Sequence, residues 1–284
     1  MELINMAWQV RLANFPNEVE FYFPVKTRAI SVTGNNCDLQ CAHCNGHYLE
    51  SMIPIHEWRS KIKPDISSCL ISGGCDRGGK VPVMRYLPLI KDIKESQRKT
   101  NLHVGLLDED EIEQLAGVAD VISFDFVGDN ETIREVYGLE KSVDDYIRVY
   151  KSMRQRMKLL PHICIGLRGG KISGEYRALE LLRELGADGL VFIVFAPTDG
   201  TAYAEKEPPK IEEVSRILCR ARIDFPDVPI HLGCMRPKGR YRNELDQLAL
   251  RCGVNKIVQP TPGALTLAEE LGLKINRGEE CCVL

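Results

Sequence analysis

The sequence predicts an α/β barrel of the TIM type, complete or partial. Three features predict it. Eight short apolar runs recur along the chain, most are followed by a stretch with helical spacing, and the runs do not alternate polar with apolar residues. Unalternated runs suit strands buried on both faces of a parallel sheet. Repeated strand–helix periods wind such a sheet into a barrel. A length of 284 residues accommodates it as one domain over 1–284.

The strands are expected at 29–33, 69–72, 102–106, 121–125, 162–166, 189–195, 228–232 and 255–258. Between them lie amphipathic helices. One opens on Glu109, Asp110 and Glu111, acids that suit the positive end of a helix dipole. Others run through 142–150 and 176–185, and Gly186 caps the second before the next strand. Pro208 and Pro209 break the chain ahead of a helix from Ile211. Residues 1–26 read as a lead-in that closes one barrel end, and 274–284 as an irregular, cysteine-rich tail.

Hydrophobic residues make up 44% and charged residues 27%, with a formal net charge of −3. That balance gives no electrostatic footprint for nucleic acid. No apolar stretch reaches the ~18 residues of a membrane helix, and the start lacks a basic, then apolar, leader. A cytoplasmic protein is expected, with no membrane partner. In a reducing compartment its eleven cysteines point to metal ligation or catalysis rather than disulfides.

Cys37, Cys41 and Cys44 follow the first expected strand within eight residues. Three thiolates so placed can converge on one centre. A [4Fe–4S] cluster takes four, so three leave one iron open for a cosubstrate. Zinc, with His43 or His47 as a fourth ligand, is the competing reading. Cys75 follows the second strand and Cys234 the seventh, both at the carboxyl ends where barrel sites lie. Cys281 and Cys282 sit in the tail, which could fold back to them and complete a four-thiolate set for a second cluster. The alternative for Cys-Cys-Val-Leu is a prenylation signal. Cys219 and Cys252 read as core, and Cys69 and Cys164 lie within strands.

The CxxxCxxC spacing after strand one resembles the radical S-adenosylmethionine (SAM) superfamily. The resemblance implies a (β/α) barrel, a [4Fe–4S] cluster on Cys37, Cys41 and Cys44, and SAM bound to the open iron. One electron then cleaves SAM to methionine and a 5′-deoxyadenosyl radical. Ser72, Gly73 and Gly74 match the family's glycine-rich SAM motif after strand two. Asp125 stands where a polar ribose contact is common, and Gly166 and Arg168 lie in the segment that resembles an adenine-binding one. Glycine and turn chemistry is the plainer reading of each alone.

The segments at 189–203, 230–237 and 252–257 resemble biotin synthase, whose seventh strand ends in a functional arginine, here Arg236. The pattern as a whole is similar to one subunit of the two-component lipoyl synthases. That resemblance implies sulfur insertion into an octanoyl chain on a carrier protein, an auxiliary cluster as sulfur source, a second radical SAM subunit, and a reductase or ferredoxin as electron donor. An octanoyl-lysine arm calls for a deep, open-ended barrel. The carrier would meet Arg236, Lys238, Arg240 and Arg242 at its mouth; a solvated loop is the alternative for that stretch. A radical SAM enzyme without sulfur chemistry and a non-enzymatic iron–sulfur protein are the rivals.

Overall fold

In a computed structural model, which describes residues 2–284, helix α1 (Glu2–Asn14) leads into strands β1 (Glu18–Tyr22) and β2 (Thr27–Ser31). A two-residue strand β3 (Ile53–Pro54) and a short helix α2 (Trp58–Lys61) precede β4 (Ser68–Ser72). Then come α3 (Leu87–Glu95), β5 (Lys99–His103), α4 (Glu109–Leu115), β6 (Val121–Asp125), α5 (Asn130–Tyr137), α6 (Val143–Arg156) and β7 (Leu159–Ile165). The chain continues through α7 (Glu175–Leu185), β8 (Leu190–Val194), α8 (Ile211–Asp224), β9 (Ile230–Leu232), α9 (Gly239–Arg251), β10 (Lys256–Val258), α10 (Pro262–Glu270) and β11 (Lys274–Gly278).

All eleven strands form one parallel sheet in the order β11-β1-β10-β9-β8-β7-β6-β5-β4-β2-β3. Eight of them, β2 and β4 to β10, answer the eight apolar runs in sequence order. Their residues are buried on both faces; in β6 the first four are covered and only Asp125 is reached by solvent. The helix starts follow from capping chemistry. Asp108 with Glu111, and Ser142 with Asp145, form reciprocal capping boxes for α4 and α6. Asp129 accepts from Thr132 N at 2.8 Å to begin α5.

The sheet curls, and the chain beyond β11 crosses its lower rim. Lys26 N donates to Glu279 O at 2.9 Å, and Glu280 accepts from Ser67 Oγ (2.8 Å) and Lys99 Nζ (2.7 Å), at the amino ends of β4 and β5. Cys281 and Val283 then turn inward and pack on Val121, Leu160 and Val191, at the amino ends of β6, β7 and β8. The tail therefore forms a floor to the barrel interior. The carboxyl ends of the strands surround the mouth.

Three expectations change. Residues 1–26 are more than a lead-in, because β1 lies inside the sheet between β10 and β11. The tail from Lys274 begins as a strand. The barrel is not open-ended, since the tail occupies its lower end. Among the described residues no helix is long and apolar enough to cross a membrane.

Candidate active site

The loop after β2 carries Cys37, Cys41 and Cys44 at the mouth. Local turns set it: Cys44 N and Asn45 N both donate to Cys41 O, at 3.0 and 2.9 Å. Gln40 (φ 49°) and Asn45 (φ 46°) adopt left-handed backbone, a cost that non-glycine residues sustain only where the surroundings demand it. Those surroundings are firm. Ala42 N donates to Val136 O (2.8 Å), Tyr203 N donates to Ala42 O (3.0 Å), and Asn45 Nδ2 donates to Gly200 O (3.1 Å).

The loop after β4 lies directly against it. Gly74 N donates to Thr33 Oγ1 at 2.7 Å. A Cβ on Gly74 would stand 2.0 Å from Asn36 O and 2.6 Å from Cys37 Cα, so only glycine permits this approach. Ser72 Oγ donates to His103 O at 3.2 Å. The Cys75 carbonyl accepts from Asp38 N at 2.8 Å and lies 3.9 Å from Cys37 Sγ.

The thiols disfavour ionisation together. Burial, then Cys37 and Cys44, push Cys41 up to about 12. Burial first, then Cys37 and Cys41, also raises Cys75. Such a set becomes a set of thiolates when cationic iron neutralises it. Among the described residues no three His, Cys, Asp or Glu groups converge closely enough for a single metal ion. Separate irons of a cubane each take one thiolate. His43 packs edge-on against Tyr137, and His47 is exposed. The donor set fits an iron–sulfur cluster.

Asp125 ends β6. Solvent reaches it, yet protein rings it, so it faces the barrel interior, and that enclosure raises its carboxyl pKa. Its charge is felt by Cys41, Cys75, Cys164, Tyr137 and Tyr146. Gly166 has φ 74°, and its N–H donates to the buried Glu175 carboxyl at 2.7 Å. Arg168 is engaged elsewhere, with Glu131 and, at 2.6 Å, with Glu135.

Cys234 follows the carboxyl end of β9 and is reached by solvent. Its thiol faces the same interior, is raised by burial, and its charge in turn would raise both Cys281 and Cys282. Asn101 Nδ2 lies 3.7 Å from Cys281 Sγ, and His162 Nε2 lies 3.8 Å from Cys282 Sγ. The structure thus sets the Cys234 thiol within electrostatic range of Cys281 and Cys282. It does not bring Cys75 to them: Cys75 neighbours Cys37 and Cys41 instead. A prenylation reading of the tail finds Cys281 buried.

Arg236 is also placed otherwise than a reaction-site arginine would be. It is fully buried, bidentate to Asp246 (Nε–Oδ1 2.7 Å, Nη2–Oδ2 3.0 Å), and donates to Gly233 O and Gln259 O. Arg242 Nη2 donates to Cys234 O at 2.8 Å. Only Lys238 and Arg240 of the basic stretch remain exposed.

Sequence reasoning passed over His103, His162, Tyr137 and Tyr146. Burial lowers both imidazoles to about 4, so they sit neutral in the interior. For His162 a signal was present, since it interrupts the otherwise apolar β7. Cys164, also within a strand, has its thiol raised by burial first and then by the charge of Asp125.

No protein-family model matches the chain, and no curated protein sequence does. Solved structures do match. Methylornithine synthase (PylB) superposes with a TM-score of 0.69 at 18% identity, covering 97% of this chain and 89% of that one. The FeFe-hydrogenase maturase HydG from Carboxydothermus hydrogenoformans gives 0.69 at 14%, covering 96% and 71%. Streptococcus suis SuiB bound to S-adenosylmethionine gives 0.54 at 16%, covering 78% of this chain, which spans about half (49%) of that protein. The last of these was solved with S-adenosylmethionine bound. At these identities the likeness is one of architecture, and the chain has the partial α/β barrel that these enzymes share.

Proposed function

We propose that the protein is a radical SAM enzyme that inserts sulfur into unactivated C–H bonds of a carrier-bound octanoyl chain, as one subunit of a two-component lipoyl synthase. The observation that carries this reading is the pair of cysteine sets in one interior. Cys37, Cys41 and Cys44 lie at the mouth, Cys281 and Cys282 lie by the floor, and Cys234 faces the interior from the carboxyl end of β9, with Asp125 paired beside His162. The mouth set would hold a [4Fe–4S] cluster with one iron free for SAM, and the second set an auxiliary cluster as sulfur source. When bound, these groups supply one-electron cleavage of SAM and sulfide for the product.

The chain's own residues do the rest. Gly73 and Gly74 let the backbone after β4 approach the cysteine loop closely enough to offer main-chain groups to a ligand. Asp125, enclosed and inward-facing, is placed to accept hydrogen bonds from a ribose. Gly166 exposes main chain at the end of β7, its position fixed by Glu175 and Pro209. The tail closes the interior from below, so a long acyl chain would enter from the mouth. The carrier, the second subunit and the electron donor, a reductase or ferredoxin, then approach the mouth, where Lys238 and Arg240 are exposed.

The position of Cys75 favours one other reading. Beside Cys37 and Cys41 it offers a fourth thiol to the mouth set, and a cluster closed by four thiolates would transfer electrons without binding SAM. Iron and acid-labile sulfide, measured after anaerobic reconstitution, separate these cases. About eight irons per chain, falling to about four when Cys37, Cys41 and Cys44 are all changed to Ala, support sulfur insertion. About four falling to none leaves a lone SAM cluster and removes the sulfur source. Absence of SAM cleavage by the reduced protein favours electron transfer.

A further inference from the structure

The second set has three thiols, and a cubane has four irons to ligate. Cys75, the fourth thiol that the sequence suggests, is on the other set. The ring that takes its place is His162. It projects inward from β7, and its Nε2 lies 3.8 Å from Cys282 Sγ. Its Nδ1 lies 3.2 Å from Leu160 O. A neutral imidazole that donates Nδ1–H to a backbone carbonyl turns the Nε2 lone pair toward the thiol. Metal-binding histidines are oriented in this way, the second nitrogen fixing the tautomer for the first.

Two further rings, His103 and His231, stand near, and the Nδ1 of His231 is buried without a partner. His103 stands edge-on to His162, with centroids 5.2 Å apart, and packs it from the side of the mouth. His231 lies against the Cys282 main chain. The thiols are held too: Asn101 reaches Cys281, with Ser123 Oγ donating to Asn101 Oδ1 at 2.9 Å, and Arg242 grips the Cys234 carbonyl. Two tail thiols and one preset imidazole thus share the barrel floor, with Cys234 facing them from the end of β9.

We propose that the auxiliary cluster is bound by Cys234, Cys281, Cys282 and the Nε2 of His162, not by Cys75. This rests on the reading of a second cluster given above, and the test separates the two. The full chain carrying Cys37→Ala, Cys41→Ala and Cys44→Ala is reconstituted anaerobically, its iron is counted, and the reduced protein is examined by pulsed EPR with 14N- or 15N-histidine labelling. About four irons and an isotope-sensitive nitrogen coupling are expected. The coupling should vanish in His162→Gln and persist in His231→Asn and Cys75→Ser. His162→Cys should keep about four irons while losing the nitrogen signal, which guards against a variant that merely misfolds. Four irons without nitrogen coupling, or a coupling that survives His162→Gln, overturns the ligand assignment alone. Loss of all iron in the triple variant overturns the second cluster itself.

Discussion

Asp246→Asn isolates what Arg236 does. The two side chains are completely buried and bidentate, and Asp246 Oδ2 also accepts from Thr261 N (3.0 Å) at the start of α10. Arg236 adds bonds to Gly233 O, next to Cys234, and to Gln259 O, just past β10. The pair therefore ties together the ends of two strands and the starts of two helices. Asparagine keeps the shape but leaves a guanidinium without a counter-charge in the core. Breaking a buried pair from one side costs about 3–5 kcal/mol. A chain of this length shifts by roughly 2 °C per kcal/mol, so apoprotein Tm should fall by about 6–10 °C in a calorimetric scan. Arg236→Lys should fall nearly as far, because an ammonium cannot reproduce the fork. Arg236→Met with Asp246→Leu should recover most of the loss, since matched apolar replacement removes both desolvated charges. If Asp246→Asn leaves Tm unchanged while abolishing activity, Arg236 acts on the reacting groups and its reading as a brace is wrong.

Gly74→Ala should leave the circular dichroism of the barrel intact but cost ~1–3 kcal/mol at the cysteine loop, seen as at least a halving of iron retained at the mouth set. Apoprotein stability should drop as pH falls from about 6.5 toward 4. Burial lowers His43, His103 and His162 to about 4 and His231 to about 3, so the unfolded chain takes up protons there that the folded one refuses. Each imidazole contributes up to about 1.4 kcal/mol per pH unit in that window, while the raised carboxyls of Asp125 and Glu175 act in the opposite sense. A urea midpoint equal at pH 7 and pH 5 contradicts buried neutral rings. Glu280→Gln removes the ion pair with Lys99, worth about 1 kcal/mol at a half-exposed site, and should speed alkylation of Cys281 about fivefold in apoprotein; an unchanged rate means that apolar packing alone holds the tail.

The barrel was legible because its eight strands are apolar on both faces, and a parallel sheet covered by helices writes itself in that way. The strands that escaped notice are different in kind. In β1, Glu18 and Glu20 alternate with Val19 and Phe21, the pattern of a half-covered strand, and β11 mixes Lys274, Asn276 and Arg277 with a single Ile275. Their pairing with each other is a tertiary fact that no local pattern carries. The mouth site was readable for the opposite reason: its cysteines and glycines are near neighbours in sequence, so spacing encodes geometry. The partners of Arg236 and Arg168 were not readable because spacing cannot reveal them. Asp246 and Glu135 decide what those cations do, and both lie on other helices. Cys75 was misplaced likewise, since its position after β4 is equally near to either set until the tail's depth is known.

The floor also imposes an order in time. Asn17 bonds to Gly272 across 255 residues, and β11 docks only where β1 already lies in the sheet. Contacts of such separation form after the local strand–helix units, because the chain must first close a very long loop. Until then the interior is open from below, and Cys281 and Cys282 are outside it. The interior thus stays open from beneath until the tail seats. After that, whatever enters or leaves must pass the mouth.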